Sequence, residues 1–344
     1  MQGITAKIML LLALFVCFPA GAQPFDDEND FRIAPLGGGT SAELTGYIGR
    51  RQTVRIPPYI QGMPITSIGR EVFQGRTLAN VTIPDSVITI GAQAFAWNNL
   101  TNINIPNNVT TIGNQAFQGN KLTSLVIPDS VIVIGDDAFR GNRLADIIIP
   151  DSVTTIGNDA FRGNQLTNVV IPNSVTAIGD NAFRGNQLTG IIIPDSITTI
   201  EAQVFYANQL TSVIIPDSVT AIGNNAFRRN QLTYLNIGSN VTTIGDAAFF
   251  ENQLTSVFIP NSVTAIGNDA FRRNWLTNII IPDSVTAIGE AAFFENQLTS
   301  ITIGANVRLH SISFDNNFYI FYNDNGRRAG VYTWDGRAWT YRER

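Results

Sequence analysis

The stretch LTNVVIPNSVTAIGDNAFRGNQ, residues 166–187, states the rule by which most of the chain is built. Its phenylalanine, usually preceded by alanine, returns every 22 residues at Phe73, Phe95, Phe117, Phe139, Phe161, Phe183, Phe205, Phe227, Phe249, Phe271 and Phe293, with no insertion or deletion between them. Leucines from Leu78 to Leu298 and isoleucines from Ile83 to Ile303 keep the same step. Self-similarity at a fixed period of about 20–50 residues marks a repeat architecture. A unit this short cannot bury its apolar face alone, so neighbouring units must stack into one continuous core. The expected fold is a repeat solenoid of eleven coils with the landmark phenylalanines inside.

Each unit also carries its own local instructions. Leu166, Val169 and Ile171 form an L-x-x-V-x-I pattern rich in the β-branched residues that suit strands. Pro172 closes the strand because it cannot donate to a further rung. The Asn-Ser or Asp-Ser pair that follows favours a turn through side-chain bonds to the local backbone. V-T-x-I-G then reads as a second short strand ended by Gly179. The D/N-x-A-F segment offers an N-cap and room for about one helical turn. The expected coil is therefore mainly β with one short helical turn.

L-x-x-V-x-I followed by a fixed asparagine resembles the leucine-rich repeat. The whole unit, in which I-P, I-G and A-F recur together, is similar more narrowly to the BspA-like (bacterial surface protein A-type) leucine-rich repeat family. The resemblance spans roughly residues 52–303. It departs from the family in two ways: asparagine stands where cysteine is common, and many family units are one residue longer. The resemblance implies a secreted or surface-displayed binding protein that uses its concave parallel sheet, often for adhesion to host matrix or other cells. It does not imply catalysis.

Residues 1–22 read as an export signal, with Lys7, an apolar run from Ile8 to Phe18, and Ala20-Gly21-Ala22 as a small-residue cleavage site. The run is short of the roughly 20 residues of a spanning helix, so no transmembrane segment is expected in the mature chain. Cys17, the only cysteine, offers a lipoprotein alternative, but Val16 stands where a small residue is wanted before an acylated thiol. Cleavage after Ala22 leaves no cysteine and hence no disulfide. Residues 23–65 read as lead-in and cap: PFDDENDF as a mobile acidic segment, then two strands around the turn at 37–40, then a repeat-like stretch with five extra residues. Residues 66–306 are the solenoid proper.

Glu201 replaces the glycine of I-G, and Gly238 and Gly304 replace proline. The pattern decays from Gly304, leaving residues 307–344 as a C-terminal β-hairpin cap. FDNNFYIFYNDNGRRAGVYTWDGRAWTY, residues 314–341, reads as three strands joined at Asn325-Gly326 and Asp335-Gly336. Such a segment covers the open edge of the last coil, with a small binding module as the alternative.

Catalytic chemistry is thin. His310 is the only histidine, zinc lacks grouped Cys or His ligands, and no cofactor is expected. The Asp positions after proline (Asp85, Asp129, Asp151, Asp195, Asp217, Asp283) are explained by the turn, with calcium as a weaker alternative. The asparagine series from Asn98 to Asn296 suits left-handed backbone and coil-to-coil hydrogen bonding. A net charge of −5 argues against nucleic acid, which normally leaves a basic face. The arginines after the landmark phenylalanines are matched by Asp136, Asp137, Asp159, Asp180, Asp246 and Asp269 just upstream, so a mutually paired surface is expected.

Strand alternation sorts the remaining positions. If Val169 and Ile171 face the core, one outward row is largely apolar: Val126, Ile148, Val170, Ile192, Ile214, Phe258 and Ile280. The row beside it is polar or small and includes Asn168, Gly190 and Ser212. An exposed apolar strip of this kind marks an interaction face. The expected partner is a protein, of the host-matrix or cell-surface class that the resemblance implies. The alternative is a structural solenoid that self-associates or spaces surface components.

Overall fold

The computed structural model describes residues 25–344, so the leader reading and Cys17 lie outside the described residues. The chain winds into a β-solenoid of about 12 turns with a 22-residue period. Each coil has three walls. The first carries strands such as Asp146–Ile148, Asn168–Val170 and Ser212–Ile214, each pairing in parallel with a neighbour one repeat away. The second carries two-residue strands such as Thr111–Ile112 and Thr155–Ile156, whose isoleucines stack in register.

The third wall, from the I-G glycine to the asparagine, corrects one expectation: no coil contains a helical turn. The residue before the alanine adopts left-handed backbone, as at Gln115 (φ 60°), Asp159 (φ 55°) and Asn181 (φ 59°). A left-handed residue breaks a right-handed helix, and here it turns the N–H groups sideways to the next coil. Gln115, Phe117 and Gly119 donate to the carbonyls of Asp136, Ala138 and Arg140 at 2.6, 2.8 and 2.9 Å. A helix would spend those donors within its own turn.

Inside, the rings from Phe73 to Phe293 stack with centroids 5.1–5.9 Å apart and planes within 19°. Phe314 adds one more ring, 5.0 Å from Phe293, and so marks a coil beyond the eleven with the strict spacing. Tyr47 continues the column at the other end, 5.2 Å from Phe73. Beside the rings runs the asparagine ladder. Asn164 donates through Nδ2 to Phe139 O and Phe161 O, both at 3.0 Å, and accepts at Oδ1 from Leu144 N at 3.1 Å. The left-handed residue is the one before each asparagine, Gly163 or Ala207 for example, and not the asparagine itself as expected.

The I-G glycines set the spacing on the second wall. A Cβ on Gly157 would lie 2.6 Å from Asp136 N and Gly135 C of the coil below, so only hydrogen fits. Glu201 breaks this rule, and the second-wall sheet breaks with it. One sheet ends at Ala177–Ile178 and another begins at Thr199–Ile200, without pairing between them.

The ends are irregular. Phe31–Leu36 and Ser41–Tyr47 form a hairpin whose second strand pairs with Met63–Ile68. The extra residues before that strand make a second hairpin through Gln61 and Gly62. Asp26 corrects the reading of a mobile acidic lead-in. It is buried, and its carboxylate accepts from Arg51 Nη1 at 3.0 Å and Arg55 N at 3.1 Å. At the other end, Phe318–Asp324 is a helix where a strand was expected. Phe318 and Tyr322, four residues apart, share its buried side, and Phe318 meets Tyr332 and Trp339 edge-on. The hairpin of Gly330–Trp334 and Trp339–Arg342 adds antiparallel to Ser300–Ile303, the last first-wall strand.

Candidate interaction face

On the first wall, alternation separates neighbours sharply: Val169 is 4% exposed and Val170 is 63% exposed. The seven apolar positions picked out by that alternation, Val126, Ile148, Val170, Ile192, Ile214, Phe258 and Ile280, are 58–81% exposed. They lie on one face in coil order, interrupted by Asn236, which pairs with Ile214. Asn168 and Ser212 occupy the adjacent row of the same face and are exposed. The structure therefore brings all nine predicted residues to a single surface.

Three features of that surface were not singled out as functional from sequence. Gly190 stands in the polar row, and a Cβ there would meet nothing within 4 Å. Its missing side chain opens a groove of about 590 Å³ between Asn168 and Ser212, floored by Val170, Ile192 and Ile214. Asp195 closes one side of the groove. Tyr234 extends the polar row as an exposed aromatic paired with Ser212. The turn aspartates Asp85, Asp129, Asp151, Asp195, Asp217 and Asp283 are all exposed along that edge. Asp283 is paired with Arg344 at 2.8 Å, and the N–H and hydroxyl of Ser239 hold the Asp217 carboxyl below its ordinary range.

The third wall is a different kind of surface. Asp137, Asp159 and Asp269 pair with Arg140, Arg162 and Arg272 at 2.8, 2.8 and 3.1 Å, as expected. Asp136, Asp180 and Asp246 instead accept backbone N–H groups from the next coil at 2.7, 2.9 and 2.7 Å. Arginines also lie over aromatic rings, Arg184 over Tyr206 at 4.6 Å and Arg228 over Phe250 at 4.5 Å. Hydrogen bonds from Arg272 and Arg273 hold the Glu295 carboxyl below its ordinary range. Apart from the three Asp–Arg pairs, each of which lies within one coil, these contacts tie coil to coil. Among the described residues no group of three or more His, Cys, Asp or Glu could hold a metal ion, and no helix is long and apolar enough to cross a membrane. His310 is half-exposed, its Nε2 3.9 Å from a Glu290 carboxylate oxygen, at the far end of the second wall.

Parallel strands on two walls, an asparagine ladder and a stacked aromatic column define a leucine-rich repeat solenoid. The chain belongs to the BspA type leucine rich repeat family, whose repeat region matches in six copies over residues 66–189, 133–253 and 198–321. Among solved structures, a leucine-rich repeat protein from Bacteroides ovatus is 26% identical, with a TM-score of 0.50 over 77% of this chain and 91% of that one. The pneumococcal vaccine antigen PcpA is 20% identical, with a TM-score of 0.60 over 82% of each chain. A leucine rich cell surface protein from Faecalibacterium prausnitzii is 27% identical, with a TM-score of 0.49 over 82% of this chain and 95% of that one. No curated protein matches the chain.

Proposed function

We propose that this is an exported, non-enzymatic binding protein whose ligand is a matrix or cell-surface protein held on the first-wall face. The observation that carries the reading is the row from Val126 to Ile280, apolar side chains that the fold leaves in solvent while burying their neighbours. A coil needs only the inward set for its core, so an outward aliphatic row serves something outside the coil. Export is supported by the leader pattern of residues 1–22. Mass spectrometry of the exported protein should find a chain that begins at Gln23; a lipid-modified Cys17 would make it an anchored lipoprotein instead.

The test replaces Ile148 and Ile192 with Lys and measures retention on immobilised matrix and cell-surface proteins. Burial of such side chains is worth roughly 1.5–3 kcal/mol each, so the pair should abolish binding while the melting temperature stays near the parent. Unchanged binding by the folded variant would sink the reading. The second reading, self-association through the same row, is separated by light scattering. An oligomer dispersed by the same substitutions, with no retained partner, favours a structural solenoid.

A further inference from the structure

The first-wall face carries more than its apolar row, and the class of ligand it selects rests on the binding role proposed for that face. Its two edges differ in charge. Along the edge after the prolines, Asp129, Asp151 and Asp195 are exposed and make no ion pair among the described residues. Asp146, in the polar row, is an exposed carboxylate on the other side of Ile148. The opposite edge presents exposed Arg143, Gln165, Gln187 and Gln209, one cation and three neutral amides. Between the edges, the missing side chain of Gly190 deepens the middle of the row into the groove that Asp195 borders.

The spacing of the row decides what shape of ligand can track it. Only the first of the three intervals from Ile148 to Ile214 is bridged by strand pairing, since residues 190–192 form no strand. The rings of these four coils step by 5.6, 5.9 and 5.4 Å, against about 4.8 Å for paired strands, so the three intervals span roughly 14–17 Å. An α-helix lying along the row presents one side chain per turn of 5.4 Å, about 16 Å over three turns, and stays within about 2 Å of register. An extended strand repeats a face about every 6.7 Å and drifts by about 3–6 Å over the same length. Helix-in-groove recognition uses such a stripe of apolar anchors.

We propose that the first wall takes a basic amphipathic helix of a partner protein. Its apolar stripe lies on Ile148, Val170, Ile192 and Ile214, one larger anchor fills the groove at Gly190, and Lys or Arg along one flank faces Asp151 and Asp195. The aspartate edge also fixes which way round the helix lies, because the other edge offers a basic flank three neutral glutamines and the like charge of Arg143, with Asp146 its one carboxylate.

The probe is a synthetic helix with a leucine stripe and lysine flanks, and its counterpart carries glutamate in place of every lysine. Binding of each to the full exported chain is followed by fluorescence anisotropy. The lysine peptide should bind and the glutamate peptide should not. Asp151→Asn together with Asp195→Asn should weaken the lysine peptide by about tenfold, and the loss should shrink at high salt. Gly190→Tyr should block the groove; its Cβ enters open space, so the fold tolerates it. The aspartate pair makes no ion pair and keeps the test decisive even if the tyrosine variant misfolds. Equal affinity for both peptides, no affinity for the lysine peptide, or indifference to the aspartate pair overturns the proposal. A protein ligand that is lost in Ile148→Lys/Ile192→Lys but unaffected by the aspartate and glycine variants would overturn it while leaving the binding face intact.

Discussion

Two neighbouring joints of the solenoid differ in their strand pairing. Between the coils of Ile156 and Ile178, Gly179 N donates to Ile156 O and Thr176 N to Thr154 O, both at 2.9 Å, and the two short strands pair. Between the coils of Ile178 and Ile200, Glu201 stands where the glycine should be and that pairing is absent. The third wall is unaffected: Asn181 and Gly185 donate to Ala202 and Tyr206 at 2.9 Å, and Asn208 reaches Phe183 O at 3.0 Å. Phe183 and Phe205 are 5.9 Å apart, the widest step in the ring column. On the first wall, residues 190–192 form no strand, so Asn168–Val170 has no strand partner across this joint either. The joint is thus open along two walls and closed along the third. Ring stacking and the asparagine ladder can carry a coil interface without the second-wall sheet, while that sheet depends on a hydrogen atom in place of a side chain.

The largest expected effect tests the ring column on both sides of the seam. Phe161→Ala removes a fully buried ring between two evenly spaced neighbours and should cost about 3–5 kcal/mol by chemical denaturation. Phe205→Ala should fall at the lower end of that range, because Phe205 already borders a small void lined by Ile178, Ile193, Ile200 and Val204. Equal losses would mean that the wider step stores no slack. Next comes Asn164→Ala, which strands two carbonyls and one N–H in the interior; the cost should be about 3 kcal/mol, since each buried unsatisfied group costs roughly 1–3 kcal/mol. A loss near zero would assign the ladder no part in holding the coils together.

The regular joints were legible in sequence and the seam was legible only as an exception. The 22-residue step, the buried phenylalanines and the outward row from Val126 to Ile280 follow from periodicity and strand alternation, which act within one coil. What escaped is set between coils or between distant segments. D/N-x-A-F suits a helical turn locally, but its donors are claimed laterally by the next coil, as from Phe117 to Ala138. Phe318 and Tyr322 sit in a segment of strand-forming aromatics, yet packing against Tyr332 and Trp339 makes it helical. Gly190 gave no signal of its own, because a groove exists only relative to the side chains of the coils on either side.

A smaller effect comes from moving the seam. Gly157→Glu places a Cβ where the neighbouring backbone is 2.6 Å away, so the coils must part or strain. Overpacking of this kind costs about 1–3 kcal/mol. Amide exchange at Gly157 and Thr154, whose donors reach Ile134 O and Ile132 O at 2.9 Å, should accelerate while Asp137, which donates to Asn158 O at 2.7 Å on the third wall of the same joint, stays protected. Uniform acceleration across the coil would show that the walls do not open independently.

The smallest effect closes the existing seam. Glu201→Gly removes the side chain that keeps Thr199–Ile200 from pairing with Ala177–Ile178. Two backbone bonds should form that the regular coils possess, from Thr198 N to Thr176 O and from residue 201 N to Ile178 O. Each contributes about 1 kcal/mol net, and the glycine takes back roughly 0.5–1 kcal/mol through the added freedom of the unfolded chain. The net gain should therefore be about 1 kcal/mol. The decisive readout is local rather than global: amide exchange at Thr198 and position 201 should slow to the rates of Thr176 and Gly179, with Asn181 unchanged. A seam that stays open in the glycine variant would shift the cause from the Glu201 side chain to its surroundings, where Val204 replaces the usual alanine before Phe205 and Ile197 replaces the usual valine.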